Sequence, residues 1–315
     1  MNSPRLLAVG GAHVDRRGRM TAPFVAGASI PGAMREDVGG GAFNALRGAV
    51  QRGAKGTLMS VRGGDAAGDA VAAAIAACGI EDLSAVFLDR ATPSYTALLD
   101  RDGDVVAALA DMSLYELTFA KQLRRSKARE AVAEADAVLC DANLPEAALC
   151  KLAEIAEIAD KPLFAIAISP AKAVRLRPIL AGLSCLYMNR REAAVLAGTA
   201  ADSTPGALAQ GLRAVGLGRG VITAGGSAVF AFDRDGLTVI EPPAPRRVID
   251  VTGAGDALAG TTTVALMRGL RLDAALREGV AAAVLAIECA SAVPQLDKKA
   301  FDEVLALVPQ ASEMA

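Results

Sequence analysis

Short, wholly apolar runs recur along this chain, most of them ending in glycine or a small polar residue and leading into a stretch with helical spacing. Leu6 to Val9 leads into Gly10 and Gly11. Thr57 to Val61 leads into Gly63-Gly-Asp65 and a helix from Ala66 to Cys78 stopped by Gly79. The pattern returns as a strand at Ala137 to Leu139, a helix at Pro145 to Ile158, a strand at Leu163 to Ile168 and a helix at Ala171 to Ile179. A strand at Cys185 to Met188, a helix at Arg190 to Leu196 and a strand from Val221 into Gly225-Gly226 follow. Such alternation predicts an α/β fold built on a doubly wound, mostly parallel sheet with helices on both faces. A hairpin through Asp233-Arg-Asp-Gly236 and helices at Asp273 to Ala292 and Lys298 to Leu307 complete the pattern.

Two stretches break the rhythm. The polar segment 16–37 interrupts the first βα unit, and Asp100-Arg-Asp-Gly103 reads as a hairpin turn between Thr96 to Leu99 and Val105 to Leu109. Segments near 16–37 and 94–112 are therefore expected to form a small β-sheet lid, inserted in one domain that spans 1–315.

Composition narrows the class of partner. With 315 residues and 53% hydrophobic content the chain can bury a large core. Its 33 basic and 35 acidic residues leave a formal charge of −2, and such a balance recommends neither nucleic acid nor an anionic membrane as partner. A small molecule is expected instead. Cys78, Cys140, Cys150, Cys185 and Cys289 lack metal-ligand spacing, and with His13 as the single histidine they read as buried thiols of a reducing compartment. No signal peptide or apolar span is legible, so a cytoplasmic location is expected.

The chemistry concentrates in Asp250-Val-Thr-Gly-Ala-Gly-Asp-Ala-Leu-Ala-Gly260. Gly253, Ala254 and Gly255 carry little or no side chain, and they fall where a helix beginning near Ala254 leaves its first N–H groups unpaired. That end attracts an anion such as phosphate. Asp256, in the first turn, either complements the helix dipole or takes a proton from an attacking hydroxyl. Gly39-Gly-Gly-Ala-Phe-Asn44 leads into another helix, where the glycines admit a ligand and Asn44 either contacts it or caps the helix. Asn143, Ser169 and Asn189 each follow a strand on the edge where ligands bind in open α/β sheets, although each has the ordinary use of a cap or turn. No G-x-x-x-x-G-K-[ST] loop is present. Gly216-Leu-Gly218-Arg-Gly220 precedes a strand, so it reads as a turn and not as a dinucleotide loop. A Ser-His-Asp hydrolase would need His13 as base, yet no serine nucleophile motif accompanies it.

Gly40-Gly-Ala-Phe-Asn44, Asn189-Arg-Arg-Glu192 and Asp250-Val-Thr-Gly-Ala-Gly-Asp256, in that order across nearly the whole chain, resemble the signatures of the ribokinase-like sugar and nucleoside kinases, the phosphofructokinase-B type. Within that family Gly10-Gly-Ala-His-Val-Asp15, Ser29-Ile-Pro-Gly32, Asp111-Met112, Ser169-Pro-Ala-Lys172-Ala and Leu186-Tyr-Met-Asn-Arg-Arg-Glu-Ala193 are similar to the pseudouridine kinase branch. The resemblance implies transfer of the ATP γ-phosphoryl group to a 5′-hydroxyl, pseudouridine being the acceptor in that branch. It makes Asp256 the base and Gly253, Ala254 and Gly255 the anion hole. His13, Asp15, Gly40, Gly41, Asn44, Asp111 and Met112 would meet the substrate. Asn189, Glu192, Thr223, Gly225 and Gly226 would meet the nucleotide, with Glu192 reaching Mg2+ through water. Lys172 is a candidate nucleotide contact, the alternative being a cap on the strand edge. Asp250 and Thr252 match positions that in many members help to bind a monovalent cation such as K+.

His13 stands where the branch usually has asparagine, and Thr261 where a second small residue usually follows Gly260. Two other readings stay open: a kinase of a free sugar such as ribose or fructose, which the 3% aromatic content keeps in play because it offers few stacking platforms for a nucleobase, and a non-catalytic nucleotide- or sugar-binding regulator. A lid sheet with a free edge also suggests a homodimer.

Overall fold

The structure is a computed structural model that describes residues 3–289 and 296–314. Among the described residues ten strands form one sheet. Its order is Glu81–Asp82, Lys55–Met59, Arg5–Val9, Ala137–Asp141, Leu163–Ile166, Leu183–Asn189, Gly220–Thr223, Val229–Asp233, Gly236–Ile240 and Ser312–Met314. Neighbours run parallel as far as Gly220–Thr223, and the remaining pairings are antiparallel. Alternation along each strand divides the core: Leu6, Ala8, Leu139, Phe164 and Ile166 belong to one buried layer, and Leu7, Val9, Val138, Cys140 and Ala165 to the other. Burial on both faces is what made these strands legible as continuous apolar runs.

Several boundaries differ from expectation for local reasons. The run from Thr57 to Val61 divides: Lys55–Met59 joins the main sheet, while Val61–Gly63 leaves it to pair with Ala85–Phe87. The strand expected to reach Ile168 stops at Ile166, because Ile168 turns into left-handed backbone with φ 68°. In place of a helix from Ala171 to Ile179 stand a single turn at Pro170–Ala173 and a 3-10 helix at Val174–Gly182. Pro178 lies inside that segment and has no N–H to give. The helix from Asp273 is observed as Leu272–Ile287, and the expected end at Ala292 lies outside the described residues. Helices Ser113–Gln122, Ser126–Glu134 and Pro205–Ala214 were not anticipated. Of the cysteines Cys140 and Cys185 are buried, whereas Cys78, Cys150 and Cys289 are only partly so.

The lid is a second sheet ordered Gly32–Gly39, His13–Met20, Ser94–Leu99 and Val105–Asp111. It begins at His13, before the expected boundary at Arg16, so His13 and Asp15 are lid residues. Strand alternation sets Asp15, Arg17, Tyr95 and Ala97 on one face, and Val14, Gly18, Met34 and Leu98 on the other.

Three helices position the site. Ala254–Met267 packs between Gly41–Gln51 and Leu272–Ile287, closely enough that a side chain at Gly260 would overlap the Ala45 carbonyl oxygen and one at Gly279 the Thr262 hydroxyl. Thr261, the unusual residue after Gly260, is fully buried in this contact, and its hydroxyl has no hydrogen-bond partner. Among the described residues no helix is long and apolar enough to cross a membrane.

Candidate active site

A cleft of about 590 Å3 lies between the lid and the carboxyl ends of the parallel strands. Of the residues singled out in the sequence, His13, Asp15, Gly40, Gly41, Asn44, Met112, Lys172, Asn189, Glu192, Thr223, Thr252, Gly255 and Asp256 line it, as do Asn143 and Ser169. Gly225 lines an adjoining cavity that shares Asn189 and Thr223 with the first, and Gly226 lines neither. Asp111 does not reach the cleft. Its carboxylate accepts from the backbone N–H and hydroxyl of Ser113, at 3.2 and 2.8 Å, at the start of the Ser113–Gln122 helix. Its side chain is thus turned to the exposed side of the lid, away from the cleft that Met112 lines.

Gly253 is the N-cap of Ala254–Met267 and takes φ 79°, a left-handed turn that glycine enters without steric cost. The helix opens with Asp256 in its first turn, so the carboxylate sits beside N–H groups that lack helical partners. Asn44 meets it from the neighbouring helix, with Nδ2 donating to Asp256 Oδ2 at 3.0 Å. Asn44 does not cap its own helix: Gly40 is the N-cap, with φ 114°, and no side chain bonds the helix end. Its Oδ1 atom is buried and without a hydrogen-bond partner. An unpaired buried acceptor costs roughly 1–3 kcal/mol, so a donor brought by a ligand would recover that energy.

Burial pushes the Asp256 carboxyl up to about 7. The Asn44 hydrogen bond opposes the shift, and the charges of Asp141, Asp15 and Glu192 reinforce it. Although Asp256 is only half-buried, its open side faces the cleft, where protein and like charges have replaced much of the surrounding water.

Asp141 organises the floor, and the sequence reading passed over it. Fully buried, it accepts from the backbone N–H groups of Gly11 at 3.0 Å, Ala42 at 2.8 Å and Asn143 at 2.9 Å, and from Asn143 Nδ2 at 3.1 Å. One carboxylate thus ties the end of the first strand, the glycine turn before Asn44 and the Asn143 loop. A side chain at Gly10 or Gly41 would crowd it. The available signal was an acidic residue closing a wholly buried strand at the ligand edge. Asn143 in turn accepts from Lys172 Nζ at 2.5 Å. Burial lowers the Lys172 ammonium below its ordinary value, helped by Arg175 and resisted by Asp141 and Glu116.

His13 and Asp15 are held from the body by Tyr115, also overlooked. The Tyr115 hydroxyl accepts from Ala12 N at 2.9 Å, donates to the Ala12 carbonyl at 3.0 Å and lies 3.2 Å from His13 Nδ1. On the other side of the ring His13 Nε2 lies 3.3 Å from Asp15 Oδ1. Asn189 and Ser169 are caps, as their ordinary reading had it. Asn189 and Glu192 form a reciprocal capping box in which Glu192 Oε2 accepts from Asn189 N at 2.7 Å and Oε1 from Nδ2 at 2.8 Å. Burial raises the Glu192 carboxyl against those hydrogen bonds.

Asp250 is held both by its own turn and by the lid. Its Oδ1 accepts from Thr252 N at 2.9 Å, and its Oδ2 accepts from Arg17 of the lid at 2.6 Å. Burial would raise this carboxyl, but the Thr252 hydrogen bonds and the Arg17 guanidinium hold it below its ordinary range.

Comparison with known proteins places this geometry. The chain is 28% identical over 287 residues to the pseudouridine kinase of Escherichia coli (strain K12), covering 90% of each chain. The structure of a carbohydrate kinase from Agrobacterium tumefaciens is 45% identical and superposes with a TM-score of 0.87 over 99% of this chain and 100% of that one. Arabidopsis thaliana ribokinase complexed with ribose and ATP, 20% identical, superposes with a TM-score of 0.85 over 97% and 99% of the two chains, a likeness of fold. A model of the pfkB family carbohydrate kinases matches residues 4–299. The chain therefore belongs to the pfkB family of carbohydrate kinases, has the ribokinase-like fold, and is a sugar or nucleoside kinase that transfers phosphate to an alcohol acceptor.

Proposed function

We propose that this kinase transfers the γ-phosphoryl group of ATP to the 5′-hydroxyl of pseudouridine, with Asp256 as the base. The Asn44–Asp256 pair carries this reading. Asn44 and Asp256 line one cleft at the N-terminus of the Ala254–Met267 helix, and the Asn44 oxygen is buried there without a partner. A hydroxyl bound there has an acceptor to orient it, a base to take its proton, and N–H donors close to where charge develops on the phosphoryl oxygens. As the proton passes to Asp256, the hydroxyl oxygen forms its bond to the γ-phosphorus and the bond to the ADP oxygen breaks in line.

Magnesium fits as an ion carried by the nucleotide. Both Glu192 oxygens already accept from Asn189, so Glu192 would reach it through water. Among the described residues no group of three or more His, Cys, Asp or Glu side chains could hold an ion directly. Bound with the nucleotide, the ion would supply neutralising charge to the phosphates. Asn189 and Thr223 border both cavities, which suits a nucleotide lying across them, and Lys172 is the cation nearest the Asn143 loop. Over the top, Asp15 and Tyr95 bring the lid to the acceptor and so exclude water.

Likeness to the Escherichia coli pseudouridine kinase supports the acceptor. A free sugar is the second reading, favoured by the scarcity of aromatic rings along the cleft: Tyr95 and Tyr187, the latter with its hydroxyl 2.9 Å from that of Thr263. A coupled ADP-release assay with ATP and magnesium against pseudouridine, uridine, ribose and fructose separates them. We expect turnover with pseudouridine. Turnover confined to ribose or fructose would keep the mechanism and replace the acceptor. The free edges of the lid sheet support self-association into a homodimer, which sedimentation of the purified chain would test.

A further inference from the structure

The Asp250 carboxylate, expected from the family resemblance to help hold a monovalent cation, already meets a cation of the chain itself on one oxygen and a backbone N–H on the other. Its Oδ2 lies 2.6 Å from Arg17 Nη1, and its Oδ1 accepts the Thr252 N–H at 2.9 Å. The Arg17 and Asp250 side chains are 23% and 21% exposed, so solvent screens this pair less than it does an ion pair on the open surface. A potassium ion against the same oxygen would set two cations on one carboxylate.

Arg17 stands on the lid strand His13–Met20, on the same face as Asp15. Asp250 stands just before the turn that places Thr252, left-handed Gly253 and the first N–H groups of the Asp256 helix. We propose that the Arg17 guanidinium supplies, as a permanent part of the chain, the positive charge beside the anion-hole turn that a monovalent cation would otherwise supply. It follows that this kinase works without potassium. Guanidinium keeps its charge at any physiological pH and binds carboxylate with directed N–H donors, so it fixes the position of Asp250 as well as neutralising it. Because Arg17 belongs to the lid, the turn acquires that charge only when the lid is seated. Seating the lid and aligning the anion hole thereby become one event. Arg17 acts through Asp250 and is a positioning residue.

The inference rests on the kinase reading but not on the acceptor. The test therefore joins a measurement without acceptor to one with it. With MgADP present, melting temperatures of the full chain and of Arg17→Ala are compared in potassium chloride, sodium chloride and choline chloride at equal ionic strength. The wild type should melt alike in all three, and Arg17→Ala should be stabilised by potassium once its carboxylate is free. With ATP and pseudouridine, wild-type kcat should be the same in potassium and choline. Arg17→Ala in choline should lose about tenfold to a hundredfold in kcat with a smaller change in KM for ATP, and should recover in potassium. Arg17→Lys, which keeps the charge, should recover much of the loss without added ion. Potassium stabilising or activating the wild type would overturn the proposal, as would wild-type kcat in Arg17→Ala under choline. A variant that loses activity and gains neither stability nor rate from potassium would overturn the substitution for a cation and leave Arg17 as a lid contact only. If wild type turns over no pseudouridine, the proposed acceptor fails, and the melting comparison still decides the inference.

Discussion

The two walls of the cleft are held by different means. On the body side each catalytic group is fixed by buried backbone: Asp141 saturates itself on the N–H groups of three loops, and the Gly260 contact with Ala45 brings the Asn44 and Asp256 helices together. The lid side carries Asp15 and Arg17 on a sheet whose outer strands are largely exposed, joined to the body through side chains, notably His13 with Tyr115 and Arg17 with Asp250. A floor of buried backbone contacts opens only at the cost of many orphaned polar groups, whereas a few side-chain contacts can be made and broken within each turnover. The body is thus suited to hold the charge-stabilising geometry and the lid to admit and enclose the acceptor.

The largest test of this contrast is Asp256→Asn, which keeps the shape of the floor and removes its base. We expect kcat to fall about 10²–10⁴-fold with the fold intact; near-normal turnover would remove Asp256 as base. The elevated carboxyl gives two further signatures. Wild-type kcat should fall below pH 7 as Asp256 takes up its proton. Because the folded value is raised from 3.8 to about 7, ionising Asp256 costs the fold nothing below the unfolded value and the full amount above pH 7. The melting temperature gained by Asp256→Asn should accordingly be larger at pH 8 than at pH 5. An equal gain at both would show that Asp256 is not perturbed.

Asp141→Ala attacks the floor itself. It would leave the N–H groups of Gly11, Ala42 and Asn143 unpaired in a buried place, and we expect a loss of at least about 3 kcal/mol in urea unfolding together with a drop in kcat. If stability hardly changed, the floor would be no more firmly held than the lid. Tyr115→Phe is the mildest test, made where lid meets body. Losing one hydroxyl should cost about 1–2 kcal/mol and raise KM for the acceptor a few-fold while kcat stays near its original value. A change confined to kcat would mean that His13 and Asp15 serve the reaction more than acceptor binding.

Some of this was open to reading in the chain itself. Runs such as Leu6 to Val9 and Ala137 to Leu139 are apolar at every position because both faces are covered, and that fact announces a parallel sheet without coordinates. Gly253 and Asp256 stand close enough in sequence that a turn and a helix start could be inferred locally. Less legible were contacts between residues far apart in the chain. Pattern gave no hint that Asp141 would gather Gly11 and Ala42, that Tyr115 would brace His13, or that Arg17 of a polar lid strand would take the carboxylate of Asp250. Asp111 shows the converse: a residue marked by a motif turns its carboxylate to Ser113, at the start of a helix that the sequence reading did not anticipate.

The sequence by itself therefore determined the α/β alternation of the main sheet, the glycine turn and the identity of the candidate base, since backbone sterics, periodic burial and helix-end chemistry act over a few residues. Only the tertiary structure decided which carboxylates share the cleft, how far burial lifts Asp256, and that Asp250 already holds a cation of the chain's own. Each of these depends on distances across the fold, and charge and desolvation are set by what packs nearby in space, whatever its distance along the chain.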